Sequence, residues 1–234
     1  MTPADTAGYR HFHEQLDALT RELLDMAGRA ESLLARAMEA LLERDAGKAE
    51  AVIAADRDID ALENEIDGLA VSLLALQQPM ARDLRFIVSA LKVSSDVERV
   101  GDHAVNIAQS AQRLIAQGGP LLAADRQLGD MAARARRMLS EALDALVRGD
   151  GTLARTVCRA DAQVDAMHEA LFRVLLTHMM GDPRTITPAI ELLLVSRNIE
   201  RVADLATNIG EDAVFLAEGK QIKHGAEERA APPA

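Results

Sequence analysis

Apolar residues return every three or four positions along almost the whole chain, and that spacing admits little besides α-helix. Leu16, Leu19, Leu23, Met26, Leu33, Leu34, Met38 and Leu41 set the rhythm of a first helix starting near Tyr9. Asp45-Ala46-Gly47 breaks it. A second helix is expected from Lys48 to Gln78, carrying Val52, Ile59, Leu62, Ile66, Leu69 and Leu73. Pro79 lacks a backbone donor and biases its predecessor away from helical dihedrals, so the second helix must end there. Proline is tolerated in a first turn, so Pro79 can also open a third helix, which runs to Gln117 and stops at Gly118-Gly119-Pro120. β-branched residues never alternate over a useful length. Aromatics make up 2% of the chain, so its helices must pack through Leu, Ala, Val, Ile and Met.

The same order then returns. A fourth helix spans 121–148, a fifth closes at Gly181-Asp182-Pro183, and a sixth reaches Glu218 with Gly219 as its C-cap. The match extends to the residues. DVERVGDHAVNIAQSA, starting at Asp96, aligns without a gap on NIERVADLATNIGEDA, starting at Asn198, and eight of the sixteen positions are identical. Asp56 and Asp60 fall on Asp161 and Asp165, and the offset drifts from 105 to 102 along the repeat, which needs only small loop differences. A period near 100 is domain-sized, longer than the roughly 20–50 of solenoids. The chain is therefore expected to be all-α: two tandem antiparallel three-helix bundles related by internal duplication, at 8–118 and 120–219. The remainder, 220–234, has too little apolar content to pack and is expected to be a disordered tail.

Charge and motifs exclude several functions. The net charge of −11 argues against binding a phosphate backbone, which requires a neutralising basic surface. The densest basic cluster, Arg134, Arg136 and Arg137, is short and has no aromatic neighbours to stack bases. No stretch of 18 apolar residues is present, so direct membrane insertion is not expected. The first residues lack the basic start and apolar run of a secretory signal, and Cys158 stands alone, which suits a reducing compartment. A cytoplasmic location is the expectation. Neither a G-x-x-x-x-G-K loop nor a G-x-G-x-x-G fingerprint occurs, and no serine or cysteine stands in a nucleophile motif, so no catalytic residue is assigned.

Four acidic pairs stand at i,i+4 spacing: Asp56 with Asp60, Glu98 with Asp102, Asp161 with Asp165, and Glu200 with Asp204. Each pair lies on one helical face, one residue above the other. If the second and third helices of a unit pack side by side, four carboxylates converge, and oxygen ligands of this type suit hard divalent cations. The other reading is also open. Val93, Val97, Val100, Ala104, Ile107 and Leu114 form an apolar stripe from which Glu98 and Asp102 point away, and such a row is commonly a solvated face. Asp165 and His168 are spaced like the carboxylate-x-x-His element of di-iron bundles, but only one copy exists.

Four acidic motifs in register on this architecture, together with the QQPMARDLR turn starting at Gln77, resemble the PhoU family across about residues 10–218. That resemblance implies a non-enzymatic negative regulator of phosphate uptake and of the phosphate-starvation response. It further implies metal, often multinuclear, at Asp56, Asp60, Glu98, Asp102, Asp161, Asp165, Glu200 and Asp204, with iron, zinc, manganese or magnesium as the candidates. The implied partners are the ATPase of the phosphate ABC transporter, a phosphate-sensing histidine kinase, and a second copy of the chain in a homodimer. Two features depart from an exact duplication. The second unit has Gly181-Asp182-Pro183 in place of the QQP turn, and Glu63 and Asn64 are matched by His168 and Glu169, so the two sites are expected to differ. A metal-storage or di-metal helical protein and an inert helical scaffold are the rival readings.

Overall fold

The structure is a computed structural model that describes residues 3–77, 79–118 and 122–222, with side chains from His11 onward and without that of Gln77. Among these residues the chain is helical throughout, in the order α1 (Pro3–Glu43), α2 (Ala46–Ala55), α3 (Arg57–Gln77), α4 (Ala81–Gln117), α5 (Asp125–Arg148), α6 (Gly151–Gly181) and α7 (Ile186–Glu218). A single 3₁₀ turn, Pro183–Thr185, joins α6 to α7. No helix is long and apolar enough to cross a membrane. Residues 223–234, most of the expected tail, lie outside the described residues, as do Gly119 and Pro120.

Duplication is visible in the packing. α1, α2–α3 and α4 form one three-helix unit, and α5, α6 and α7 form the other. Asp45 and Asp150, 105 residues apart, cap α2 and α6: Asp45 Oδ1 accepts from Lys48 N, and Asp150 Oδ1 accepts from the N–H groups of Thr152 and Leu153. Leu23, Met26, Leu34 and Ala37 of α1 are buried, and so are Leu128, Met131, Leu139 and Ala142 at the matching places in α5. At the other end Gly219, in the left-handed conformation at φ 71°, donates its N–H to Phe215 O and closes α7.

Two local expectations change. The helix expected over 48–78 is interrupted at Asp56, where Ile59 N and Asp60 N both turn back to Asp56 O, at 2.8 and 3.3 Å. That tightening brings Asp56 and Ile59 close to Gly101 of α4; a Cβ on Gly101 would lie 3.0 Å from Ile59 Cδ1 and 3.3 Å from Asp56 Oδ1. The second unit has Ala203 at this place and an unbroken α6. Pro79, for its part, stands just outside α4 rather than in its first turn, because the extended Met80 is the N-cap.

The units join through α4 and α7, with a smaller contact between α1 and α5. Polar bonds cross this seam at three levels: Lys92 Nζ to Asp212 Oδ1 at 3.2 Å, His103 to Asn198 at 2.9 Å, and Arg113 Nε to Glu191 Oε1 at 2.8 Å. Asn198 Nδ2 donates to Leu194 O, so its Oδ1 is the acceptor and His103 donates from Nδ1. Asp212 and Glu191 are almost wholly covered, which makes their cationic partners matter: an unpaired buried carboxylate is strongly destabilising.

The close approach at Gly101 yields a paired prediction. Gly101→Val overpacks the α3–α4 contact and is expected to cost about 1–3 kcal/mol. Gly68 lies in mid-α3, where an added methyl group would meet nothing within 4 Å. Its change to Ala should instead gain about 0.5–1 kcal/mol. Urea midpoints of the two variants, compared with the parent protein, check both signs.

Candidate functional site

Burial of one stripe sets the rotation of the third helix in each unit. Val93, Val97, Val100, Ala104 and Ile107 of α4 are fully buried, as are Val195, Ile199, Val202, Ala206 and Ile209 of α7. With those faces held inward, Glu98 and Glu200 are carried to the sides of α4 and α7 that lie along α3 and α6, within electrostatic reach of Asp56 and Asp161. These four first members of the acidic pairs are half-buried, and so is Asp204. Asp60, Asp102 and Asp165 lie further out, at the exposed edge.

The carboxylates of each unit act on one another. Burial, followed by the charges of Asp102, Glu63, Asp60 and Asp56, raises Glu98 from the ordinary 4.5 to about 7. Asp56 is raised by burial and then by Asp60 and Asp102. In the second unit burial, then Asp165, Asp204 and Glu200, raise Asp161 from 3.8 to about 6. Glu200 is raised by burial and Asp204, against the opposing effects of Arg197 and Arg201. All eight residues singled out by spacing are thus gathered into two foursomes.

The foursomes are electrically unlike. Glu63 joins the first and is itself raised by burial, Asp67, Asp60 and Asp102, so the charges acting most strongly there are all negative. In the repeat alignment Glu63 is only a mismatch; its position seven residues after Asp56 and three after Asp60 is helical-face spacing that marks it for the same row. In the second unit His168 takes this place, and its Nδ1 donates to Ser196 Oγ at 2.9 Å, whose own hydroxyl donates to Leu193 O. Arg197 bonds Glu200 Oε1 at 3.2 Å and Arg201 bonds Asp204 Oδ2 at 2.9 Å. In the first unit Ser95 stands where Arg197 does, and Arg99, the match of Arg201, turns toward Asp96 at 3.8 Å.

Among the described residues, no group of three or more His, Cys, Asp or Glu side chains is arranged to hold a metal ion as it stands. The donor chemistry does fit one. The ligand atoms are carboxylate oxygens, partly withdrawn from water and mutually repelling, and Asp161 Oδ1 and Glu200 Oε2 are buried without a hydrogen-bond partner.

Comparison with known proteins identifies the family and its fold. A PhoU domain is matched twice, at residues 23–111 and 128–213. The chain is 42% identical to the phosphate-specific transport system accessory protein PhoU homolog of Caulobacter vibrioides over 91% of its own length and 92% of the relative's. It is 40% identical to the homolog of Rhizobium meliloti, covering 90% and 88%. The crystal structure of PhoU from Pseudomonas aeruginosa superposes with a TM-score of 0.84 at 36% identity, covering 89% of this chain and all of that one. The phosphate transport system regulatory protein PhoU from Streptococcus pneumoniae gives 0.83 at 29% identity, covering 91% and 99%. The chain belongs to the PhoU family, all-helical proteins built from tandem PhoU domains. It is thereby a PhoU-like accessory or regulatory protein of phosphate transport, in a family that is not enzymatic.

Raised carboxylate pKa values fix the sign of a pH effect. Between pH 4.5 and about 7 the folded protein holds a proton on Glu98 that the unfolded chain releases, so this residue's contribution falls as pH rises through that window. Asp161 acts in the same direction between 3.8 and about 6. In chelator-treated protein, Glu98→Gln is expected to raise the melting temperature at pH 8 and to change it little at pH 4.5; equal shifts at both pH values would contradict the coupling.

Proposed function

We propose that the chain is a cytoplasmic regulator that restrains phosphate uptake and the phosphate-starvation response. It would couple the ATPase of the phosphate ABC transporter to a phosphate-sensing histidine kinase, and act as a homodimer. Each unit, 8–118 and 120–219, would present one acidic site to a cation: Asp56, Asp60, Glu98 and Asp102 in the first, Asp161, Asp165, Glu200 and Asp204 in the second. The observation that carries the reading is the gathering of these eight carboxylates into two groups, each built around half-buried acids, in a chain of the PhoU family. Similarity to phosphate transport accessory proteins over nine-tenths of the chain supports the regulatory part.

A cation of the iron, zinc, manganese or magnesium kind, when bound, would supply the positive charge that the converging carboxylates lack. What the chain itself contributes is position. The buried stripes of α4 and α7 hold Glu98 and Glu200 against the neighbouring helix, while Asp60, Asp102 and Asp165 keep the sites open to solvent. Pinning the second and third helices of each unit together would fix the outer faces that partner proteins read. Because Arg197 and Arg201 already offset Glu200 and Asp204, the second site would hold its cation more weakly than the first.

Elemental analysis of the parent protein beside Glu98→Gln/Asp102→Asn/Glu200→Gln/Asp204→Asn tests this. The parent is expected to retain metal and to melt higher with it, since a ligand bound only by the folded state stabilises it by ~2.7 kcal/mol at a hundredfold excess over Kd. The variant should lose both the metal and the phosphate-responsive repression. If neither protein holds metal after exposure to iron, zinc and manganese, the metal half of the proposal fails; if repression survives in the variant, the acidic faces are not what the partners read.

A further inference from the structure

Duplication also made two grooves, one between the first and second helices of each unit, and they have diverged. The groove between α1 and α2–α3 is open to solvent, has a volume of about 340 Å³, and its charged residues are Asp25, Arg29, Arg36 and Asp58. These are balanced in number, and Arg29 is bridged to Asp25 at 2.9 Å. The groove between α5 and α6 is likewise open to solvent and has a volume of about 750 Å³, more than twice that of the first. Position for position, 105 residues on, Asp25 is matched by Asp130 and Arg29 by Arg134. The remaining charges are rearranged: Asp58 becomes the neutral Gln163, Arg36 becomes Glu141, Ser32 becomes Arg137, and Ala54 becomes Arg159.

Three arginines therefore rim the larger groove, and among the described residues none is paired with a carboxylate. Arg134 bonds the side-chain oxygen of Gln163, and Arg159 Nη2 donates to Thr156 Oγ1 at 3.2 Å. Asp130 is turned to Arg126, at 3.9 Å. Glu141 also lines this groove, and the three arginines are exposed, so solvent screens their mutual repulsion and leaves them open as donors to an anion. The lining between them is apolar and adaptable, formed by Ala133, Met138, Ala160 and Met167. Guanidinium groups present planar forks that match phosphate oxygens two at a time.

We propose that the α5–α6 groove binds a small oligophosphate, with its phosphate oxygens on Arg134, Arg137 and Arg159. A nucleoside di- or triphosphate would use the apolar lining as well, its base lying over Ala133, Ala160 and Met167; inorganic oligophosphate would use the arginines alone. This site is separate from the acidic ones. Gln163 stands two residues from both Asp161 and Asp165, about 200° around α6, and faces the opposite side of the helix.

Calorimetric titration of the full chain with ATP, ADP and tripolyphosphate tests the proposal, in a chelating buffer so that cation-bridged binding at the acidic sites does not contribute. One-to-one binding is expected. Arg137→Ser/Arg159→Ala, which installs the residues found at the matching positions of the first unit, should weaken it ~100-fold by removing two charge-assisted contacts. Arg29→Ala/Arg36→Ala in the first groove should leave it unchanged. Glu141→Arg, which supplies the charge Arg36 has in the first groove, should tighten it, so a gain of affinity is read as well as a loss. Tighter binding of ATP than of tripolyphosphate assigns the nucleotide; equal binding assigns the inorganic chain. Absence of binding by all three probes at millimolar concentration overturns the proposal, and so does unchanged affinity in the Arg137→Ser/Arg159→Ala variant.

Discussion

The rest of the architecture depends on the apolar stripe that α4 and α7 bury. Like charges on a helix ordinarily relieve their repulsion by turning outward, at a gain of a few tenths of a kcal/mol per pair. Here rotation is forbidden, because turning Glu98 outward would pull Val93, Val97 and Val100 out of the core. Burying such side chains is worth about 1.5–3 kcal/mol each, several times the repulsion. The carboxylates are therefore held where they are partly withdrawn from water and mutually unfavourable, and burial first, then the neighbouring charges, raise the pKa values of Glu98 and Asp161. A fold that keeps a conflict of this kind has positions ready to respond to a cation or to a proton.

Duplication supplied the frame, and the differences between its two halves supply the chemistry. Buried apolar positions of α1 and α5 match in kind, and so do those of α4 and α7, since both halves must solve the same packing problem. The polar positions diverge. Ser89 and Ser110 of α4 are matched by Glu191 and Asp212 of α7, which receive Arg113 and Lys92 from the opposite helix. Among the described residues two ion pairs hold the seam between the halves, and both acids come from the second unit. Similarly, Arg197 and Arg201 temper the second acidic site whereas Arg99 of the first turns to Asp96, and three arginines against two acids line the second groove while the first is balanced.

The helical class, the duplication and the eight acidic positions were legible in the chain, because a 3.6-residue period and an i,i+4 spacing are local properties. The interruption at Asp56 was not. No proline or glycine marks it, and its counterpart Asp161 continues an unbroken helix; it accompanies the close approach of Gly101, more than forty residues away. Pro79 lies within one turn of its expected place, since the chain's stop signal is explicit while the extended Met80 that actually caps α4 carries no cap side chain. Glu63 reads as a mismatch between repeats, although its helical register already places it on the acidic row.

By itself the sequence determined what each helix must hide. Its aliphatic periodicity fixed which faces turn inward, and by subtraction which faces carry the carboxylates. It could not say whether those carboxylates would meet. Convergence depends on α3 lying along α4 and α6 along α7, and on how closely the backbones approach, which small residues such as Gly101 decide. Only the tertiary structure shows Glu98 half-buried among Asp56, Asp60 and Glu63, because these neighbours lie more than thirty residues away in the chain, whereas the arginines beside Glu200 stand within one turn of it.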